Sequence, residues 1–313
     1  MELSGLMDSV AGRRFVVIGA YVVDCIARTS DLPAWESATL AESITLVPGG
    51  KALNQAIALA RLGADVLALG VVGRDPAGGI VIDALERNRV DTTLIRYEDN
   101  ANTPVCMCFV GDAGETSFLW RISDETAIAP TDIDGARQQL AAADAVLMTY
   151  ELPLDTARYA LSAFQHFPAT VVVQPSPPLA DAHTLPYDGV DVLLPNRSEA
   201  LALLAPKRTA ATSNPADVPL MLHNATGVPN IVVTCGADGC YAFANSSTAH
   251  FPAHPVAEVI DTTGASDAFA AHFAASAVSG SPIETSIADA LAAAAYSIQH
   301  AGGSASMPPG PPR

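Results

Sequence analysis

The 313-residue chain is poor in basic residues: 16 Lys and Arg stand against 33 Asp and Glu, for a formal net charge of −17. A surface this acidic repels nucleic-acid backbones and anionic lipid, so neither is an expected partner. No apolar run reaches the ~18 residues that a membrane span requires. The start MELSGLMDSVAGRR has no basic region ahead of an apolar core, so no signal peptide is expected. Cysteine is sparse too. Cys25, Cys106, Cys108, Cys235 and Cys240 form no C-x-x-C pair and lie in apolar stretches. That pattern suits buried thiols of a cytoplasmic protein rather than a disulfide framework.

Several chemical signatures are missing as well. The first apolar run ends in Gly19 alone, without the G-x-G-x-x-G of a dinucleotide fold. Gly49-Gly50-Lys51 is not a Walker loop, because Thr45 stands where its first Gly belongs and Ala52 follows the Lys. His250 and His254 are four apart, but Pro252 breaks the helix that would aim both at one metal. No G-x-S-x-G elbow occurs.

What is present is an alternation. RRFVVIGAYVVD (residues 13–24) and DVLALGVV (65–72) are continuous apolar runs, as in strands buried on both faces of a parallel sheet. Residues 51–62 and 80–88 between and after them carry helical spacing. The same βαβ rhythm resumes through AAADAVLMTYE, TVVVQPSP, VDVLLPN and NIVVTCG, and ends in Ala-rich helices. This predicts an α/β fold with a doubly wound, mostly parallel sheet and helices on both faces. Two stretches, about 20–48 and 100–122, break the rhythm with short half-exposed strands, the second reading as a hairpin. They are expected to pair into a small β lid inserted in one domain, residues 1–313. The tail MPPGPPR cannot continue a helix and is expected to fray.

Chemistry concentrates where Asp261-Thr262-Thr263-Gly264-Ala265-Ser266-Asp267 precedes the helical run AFAAHFAASAV. Small residues allow a sharp turn, leaving the first helical N–H groups unpaired as an anion site. A carboxylate there, Asp267, makes sense if it takes a proton from a hydroxyl attacking a phosphoryl group. The plainer alternative is a capped packing helix.

The segment D-T-T-G-A-S-D-A-F resembles the C-terminal signature of the ribokinase (PfkB) family of carbohydrate and nucleoside kinases, D-T-x-G-A-G-D-x-F. Three further blocks match in family order: Gly49-Gly50-Lys51-Ala52-Leu53-Asn54-Gln55-Ala56, Asn196-Arg197-Ser198-Glu199, and Thr234-Cys235-Gly236-Ala237-Asp238-Gly239. The resemblance implies ATP-dependent phosphoryl transfer to a small sugar, with a nucleoside kinase as the alternative. A non-catalytic sugar or nucleotide sensor is the reading from another class. Ser266, where the family has Gly, would be its lesion.

The resemblance implies roles as follows. Asp267 is the catalytic base, and Gly264, Ala265 and Ser266 supply the anion hole. Asp24, Gly50, Lys51, Asn54 and Glu151 contact the sugar, with a lean toward ribose. Gln174 stands where ribokinases carry Asn, a departure from close identity. Asn196, Thr234, Gly236 and Gly239 belong to the ATP site. Asn196 and Glu199 organise Mg²⁺ through water, although the same spacing makes a capping box. Asp261, Thr263, Ser297, Gly302 and Ser306 lie where the family binds a monovalent cation such as K⁺. Val105, Met107, Phe109, Phe118 and Trp120 of the lid either face a substrate base or pair with a second subunit, and a homodimer is expected.

Overall fold

The computed structural model describes residues 3–111, 116–204 and 214–310. Among the described residues thirteen strands carry the architecture: β1 (Arg14–Ile18), β2 (Val22–Arg28), β3 (Ser43–Gly49), β4 (Asp65–Gly73), β5 (Asp91–Glu98), β6 (Val105–Val110), β7 (Thr116–Arg121), β8 (Ala145–Thr149), β9 (Thr170–Gln174), β10 (Val192–Leu193), β11 (Asn230–Thr234), β12 (Cys240–Ala244) and β13 (Ser247–Phe251). Nine form one sheet in the order β13-β12-β11-β10-β9-β8-β1-β4-β5. It is parallel except where β12 and β13 join antiparallel at one edge.

Alternation along β1 explains why the apolar runs are continuous. Phe15 and Val17 enter the core on one side of the sheet, with helices Lys51–Arg61, Ala265–Val278 and Ile283–Ser297. Val16 and Ile18 enter the core on the other side, with helix Leu154–Phe164. From Phe15 to Ile18 each strand residue therefore meets a helix layer, and no polar face remains over that run. The doubly wound reading holds.

The interrupting stretches supply a second sheet, β3-β2-β6-β7. β2 joins them through a parallel pairing with β6 that sets Asp24 opposite Cys106 and Ile26 opposite Cys108. Its surface keeps Ile44, Leu46, Phe118, Leu119 and Trp120 each more than half exposed. The turn expected between β6 and β7 lies outside the described residues.

Three local readings need correction. The helix read over 80–88 begins earlier, spanning Pro76–Arg87, because Asp75 caps it by accepting from the Gly78 N–H and Pro76 presets its first turn. The thiols are not uniformly buried: Cys240 is, but the other four are half-buried. The tail is anchored at its start, since Arg61 Nη1 donates to the Met307 carbonyl at 2.6 Å and Met307 is 1% exposed. Residues 311–313 of that tail lie outside the described residues.

Candidate active site

The chain leaves β1 for β4 and β5 on one side and returns to β8, β9, β10 and β11 on the other. Such a reversal opens a crevice at the carboxyl ends of the central strands, where open α/β sheets bind ligands. Asp24 lies on β2, which follows β1, and Glu151 just beyond β8. Both line a cavity of about 490 Å³ at that crevice, together with Gly50, Lys51, Asn54 and Asp267.

The double glycine lets this crevice close. A Cβ on Gly49 would overlap the Asp24 carboxylate. Gly50 has φ +95°, and its Cβ would sit 2.5 Å from the Ala20 carbonyl oxygen. Only glycine allows the chain to pass there and enter helix Lys51–Arg61. The first N–H of that helix, on Lys51, donates to Glu151 Oε2 at 3.2 Å, and Thr149 Oγ1 donates to the same oxygen at 3.3 Å. One turn on, Asn54 Nδ2 donates to Asp267 Oδ2 at 2.8 Å. Gln55 Nε2 donates to Gln174 Oε1 at 2.6 Å, so Gln174 steadies this helix from β9.

Asp267 sits in the first turn of helix Ala265–Val278 and is 3% exposed. Its Oδ1 is buried without a hydrogen-bond partner, 3.9 Å from Lys51 Nζ. Burial raises its pKa above the ordinary carboxylate value, against the opposing pull of Lys51 and the Asn54 hydrogen bond. Burial, followed by the Asp267 charge, pushes Asp24 up to about 6. Burial also lifts Glu151 to about 7, although Lys51 pulls the other way. Burial would lower Lys51, but Asp267, Glu151 and Glu199 outweigh it and keep the ammonium charged. Asp267, Glu151 and Glu199 thus act together on the one Lys51 ammonium.

Gly264 precedes this helix with φ +82°, and a Cβ there would come 2.7 Å from Met307 Cε. The Asp267 and Ala268 N–H groups return to the Gly264 carbonyl, and Ala265 N–H reaches Thr262 O at 3.3 Å. Gly264 and Ser266 N–H donate to no acceptor among the described residues. Of the three expected anion-hole amides, two are therefore free and one is loosely engaged. Ser266 is helical and absent from the positive-φ residues, so the departure from Gly brings no backbone strain.

Asn196, Thr234, Gly236 and Gly239 line a second cavity of about 620 Å³. Its far wall is apolar, including Val256, Phe269, Leu291 and Ile298. Thr262 and Ser266 line both cavities, so the two meet at the helix N-terminus. Asn196 and Glu199 do form a reciprocal capping box: Asn196 Oδ1 accepts from Glu199 N, and Glu199 Oε2 accepts from Asn196 N. Glu199 Oε1 has no hydrogen bond among the described residues, and its charge acts on Lys51 and Asp267. Asp261 accepts from the Thr263 and Gly302 N–H groups, and Ser306 Oγ contacts both Ser297 Oγ (2.8 Å) and Thr263 O (3.5 Å). These five residues form one cluster.

Sequence reasoning missed Cys106, Arg121, Ile122 and Pro177 on the first cavity, and the contribution of helix Ile283–Ser297 to the second. The Ala run of that helix was the available signal, since small residues leave room beside Phe269. Val105, Phe118 and Trp120 do line the first cavity, whereas Met107 and Phe109 do not.

The family model for the pfkB family of carbohydrate kinases matches residues 13–309. Among curated relatives, a ribokinase of Bacillus subtilis is 30% identical over 299 residues, covering 95% of this chain and 96% of its own. A deoxyribokinase of Salmonella typhi is 29% identical, covering 93% and 94%. Among solved structures, the ribokinase of Cryptococcus neoformans in complex with ADP superposes with a TM-score of 0.81 at 25% identity, covering 95% and 98%.

Proposed function

The chain belongs to the pfkB family of carbohydrate kinases, and from that membership and the site we propose that it transfers the γ-phosphoryl group of ATP to a primary hydroxyl of ribose. The observation that carries this reading is the junction. Two cavities share Thr262 and Ser266, and Asp267 lines the acceptor side with a buried oxygen that accepts no hydrogen bond among the described residues. An acceptor alcohol and a triphosphate held on either side would meet at the helix N-terminus, the arrangement in-line transfer requires.

Ribose hydroxyls would be accepted by Asp24 and Glu151, a carboxylate being able to take two vicinal O–H groups at once. Asp267 Oδ1 takes the proton of the attacking hydroxyl as the O–P bond forms, and a raised pKa makes it a stronger base than an exposed Asp. The Gly264 and Ser266 N–H groups, the helix dipole and the Lys51 ammonium receive charge on the transferring group. The residues present fit magnesium through water on Glu199 Oε1, Asn196 being engaged in the cap. Bound there, the ion supplies neutralisation of the triphosphate oxygens. The Asp261–Ser306 cluster is the proposed K⁺ neighbourhood. The exposed apolar lid supports a homodimer. Five free cysteines and dependence on ATP support a cytoplasmic setting, and no helix among the described residues is long and apolar enough to cross a membrane.

Phe118 and Trp120 on the acceptor cavity favour a second reading, a nucleoside acceptor stacked on the lid. ADP release measured over ribose, 2-deoxyribose, fructose, adenosine, cytidine and inosine decides between them. Turnover is expected on ribose. Turnover confined to nucleosides overturns the first reading, and none on any acceptor overturns both.

A further inference from the structure

We propose that Cys106, Cys108 and Asp24 form a soft-metal site, suited to Zn²⁺ or Cd²⁺, at the wall of the acceptor cavity, and that filling it shuts out the sugar. Residues two apart on a strand share a face, so Cys106 and Cys108 on β6 point the same way, and the register with β2 places Asp24 beside them. Their two Sγ atoms are 3.7 Å apart. Two thiolates on a tetrahedral zinc, each about 2.3 Å from the ion, stand about 3.8 Å apart. The thiols therefore already have the bite of a chelate. An Asp24 carboxylate oxygen completes a trio of ligand atoms lying within 4.8 Å of one another. The fourth position would go to a water from the cavity, which Asp24 and Cys106 both line.

Charge and softness agree with this placement. Magnesium avoids sulfur and stays with oxygen, so the trio discriminates against the ion that ATP brings. On binding, each thiol passes its proton to the solvent, so affinity rises with pH. The consequence for turnover rests on the proposed role of Asp24. A carboxylate bound to metal no longer accepts sugar hydroxyls, whereas the second cavity is untouched.

The test uses the full-length reduced protein, freed of metal. Cadmium alone is titrated first, read by its ultraviolet sulfur-to-metal charge-transfer absorption. One ion per chain is expected, with affinity weakened roughly tenfold or more by Cys108→Ser and unchanged by Cys235→Ser. Next, zinc is added to the kinase assay with magnesium in excess. The apparent KM for ribose should rise with zinc while kcat and the KM for ATP hold. No absorption band in the wild type, or an equal band in Cys108→Ser, overturns the site. A fall in kcat with an unchanged ribose KM overturns the exclusion of sugar. Should ribose not be turned over at all, the cadmium titration still decides the metal site, so its failure and that of the kinase reading are separable.

Discussion

Replacing Asp24 by Asn should make the protein more stable and a worse kinase. The Asp24 carboxyl is lifted from 3.8 to about 6 by burial and by the charge of Asp267. At ~1.36 kcal/mol per pKa unit, that is about 3 kcal/mol against the ionised form, or about 2 kcal/mol once solvent screening at this half-buried group is allowed for. The sign follows from which state holds the proton. Below the unfolded value of 3.8 both states are protonated and nothing is lost. As pH rises toward about 6, the unfolded chain ionises first and folding loses stability, and above that the penalty stays constant. Asn keeps the shape and removes the penalty.

Denaturation of the two proteins at a series of pH values measures this directly. At pH about 8 the variant should melt roughly 4 °C higher, at ~2 °C per kcal/mol for a chain of this size, and by pH about 4 the gap should close. Its KM for ribose should rise roughly ten- to hundredfold, the loss expected for hydrogen bonds to a charged acceptor. A variant no more stable than the wild type at high pH, or a gap that persists in acid, would refute the account of Asp24 as a strained acid held for binding.

Asp267→Asn should lower kcat by roughly 10²–10⁴-fold with ribose binding retained, as steady-state rates and calorimetric titration would show. Gly264→Ala meets both a left-handed backbone and Met307 Cε. It should cost about 1–3 kcal/mol of stability and raise the KM for ATP, read by urea unfolding and initial rates. Because Glu151 and Asp24 titrate near 7 and near 6, kcat/KM for ribose should fall as pH drops through that range, in a pH–rate profile. In Asp267→Gln the acid limb of ribose binding, followed by calorimetric titration, should shift toward lower pH, since the Asp267 charge helps lift both carboxyls.

Much of the scaffold was legible because the period of the apolar residues follows from the layers that bury them. β1, β4 and β8 read as buried strands since helices cover both faces. The two breaks in rhythm marked the lid because one face of a small sheet stays wet. The start of helix Pro76–Arg87 was not legible: Asp-Pro-Ala-Gly-Gly is also turn composition, and only the Asp75 cap settles it as helix. The anchored Met307 was hidden for a similar reason, since its restraint comes from Arg61, far away in the chain.

Within the site, motifs named residue types but not how each atom is engaged. Asn54 and Asp267 are separated by 213 positions and still share a hydrogen bond, so their meeting is a property of packing rather than of either segment. Asn196 and Glu199 show the limit of spacing most clearly. An acid three residues after an Asn serves a cap and a water-held cation equally well on paper. In the fold the cap consumes Asn196 Oδ1 and Glu199 Oε2, which leaves Oε1 as the atom with chemistry still to do. Local pattern therefore selects the residues, and the competition of each oxygen between backbone and solvent-filled cavity decides which of them can act. The same competition explains why Ser266 can replace Gly: the amide, not the side chain, is what the helix terminus leaves free.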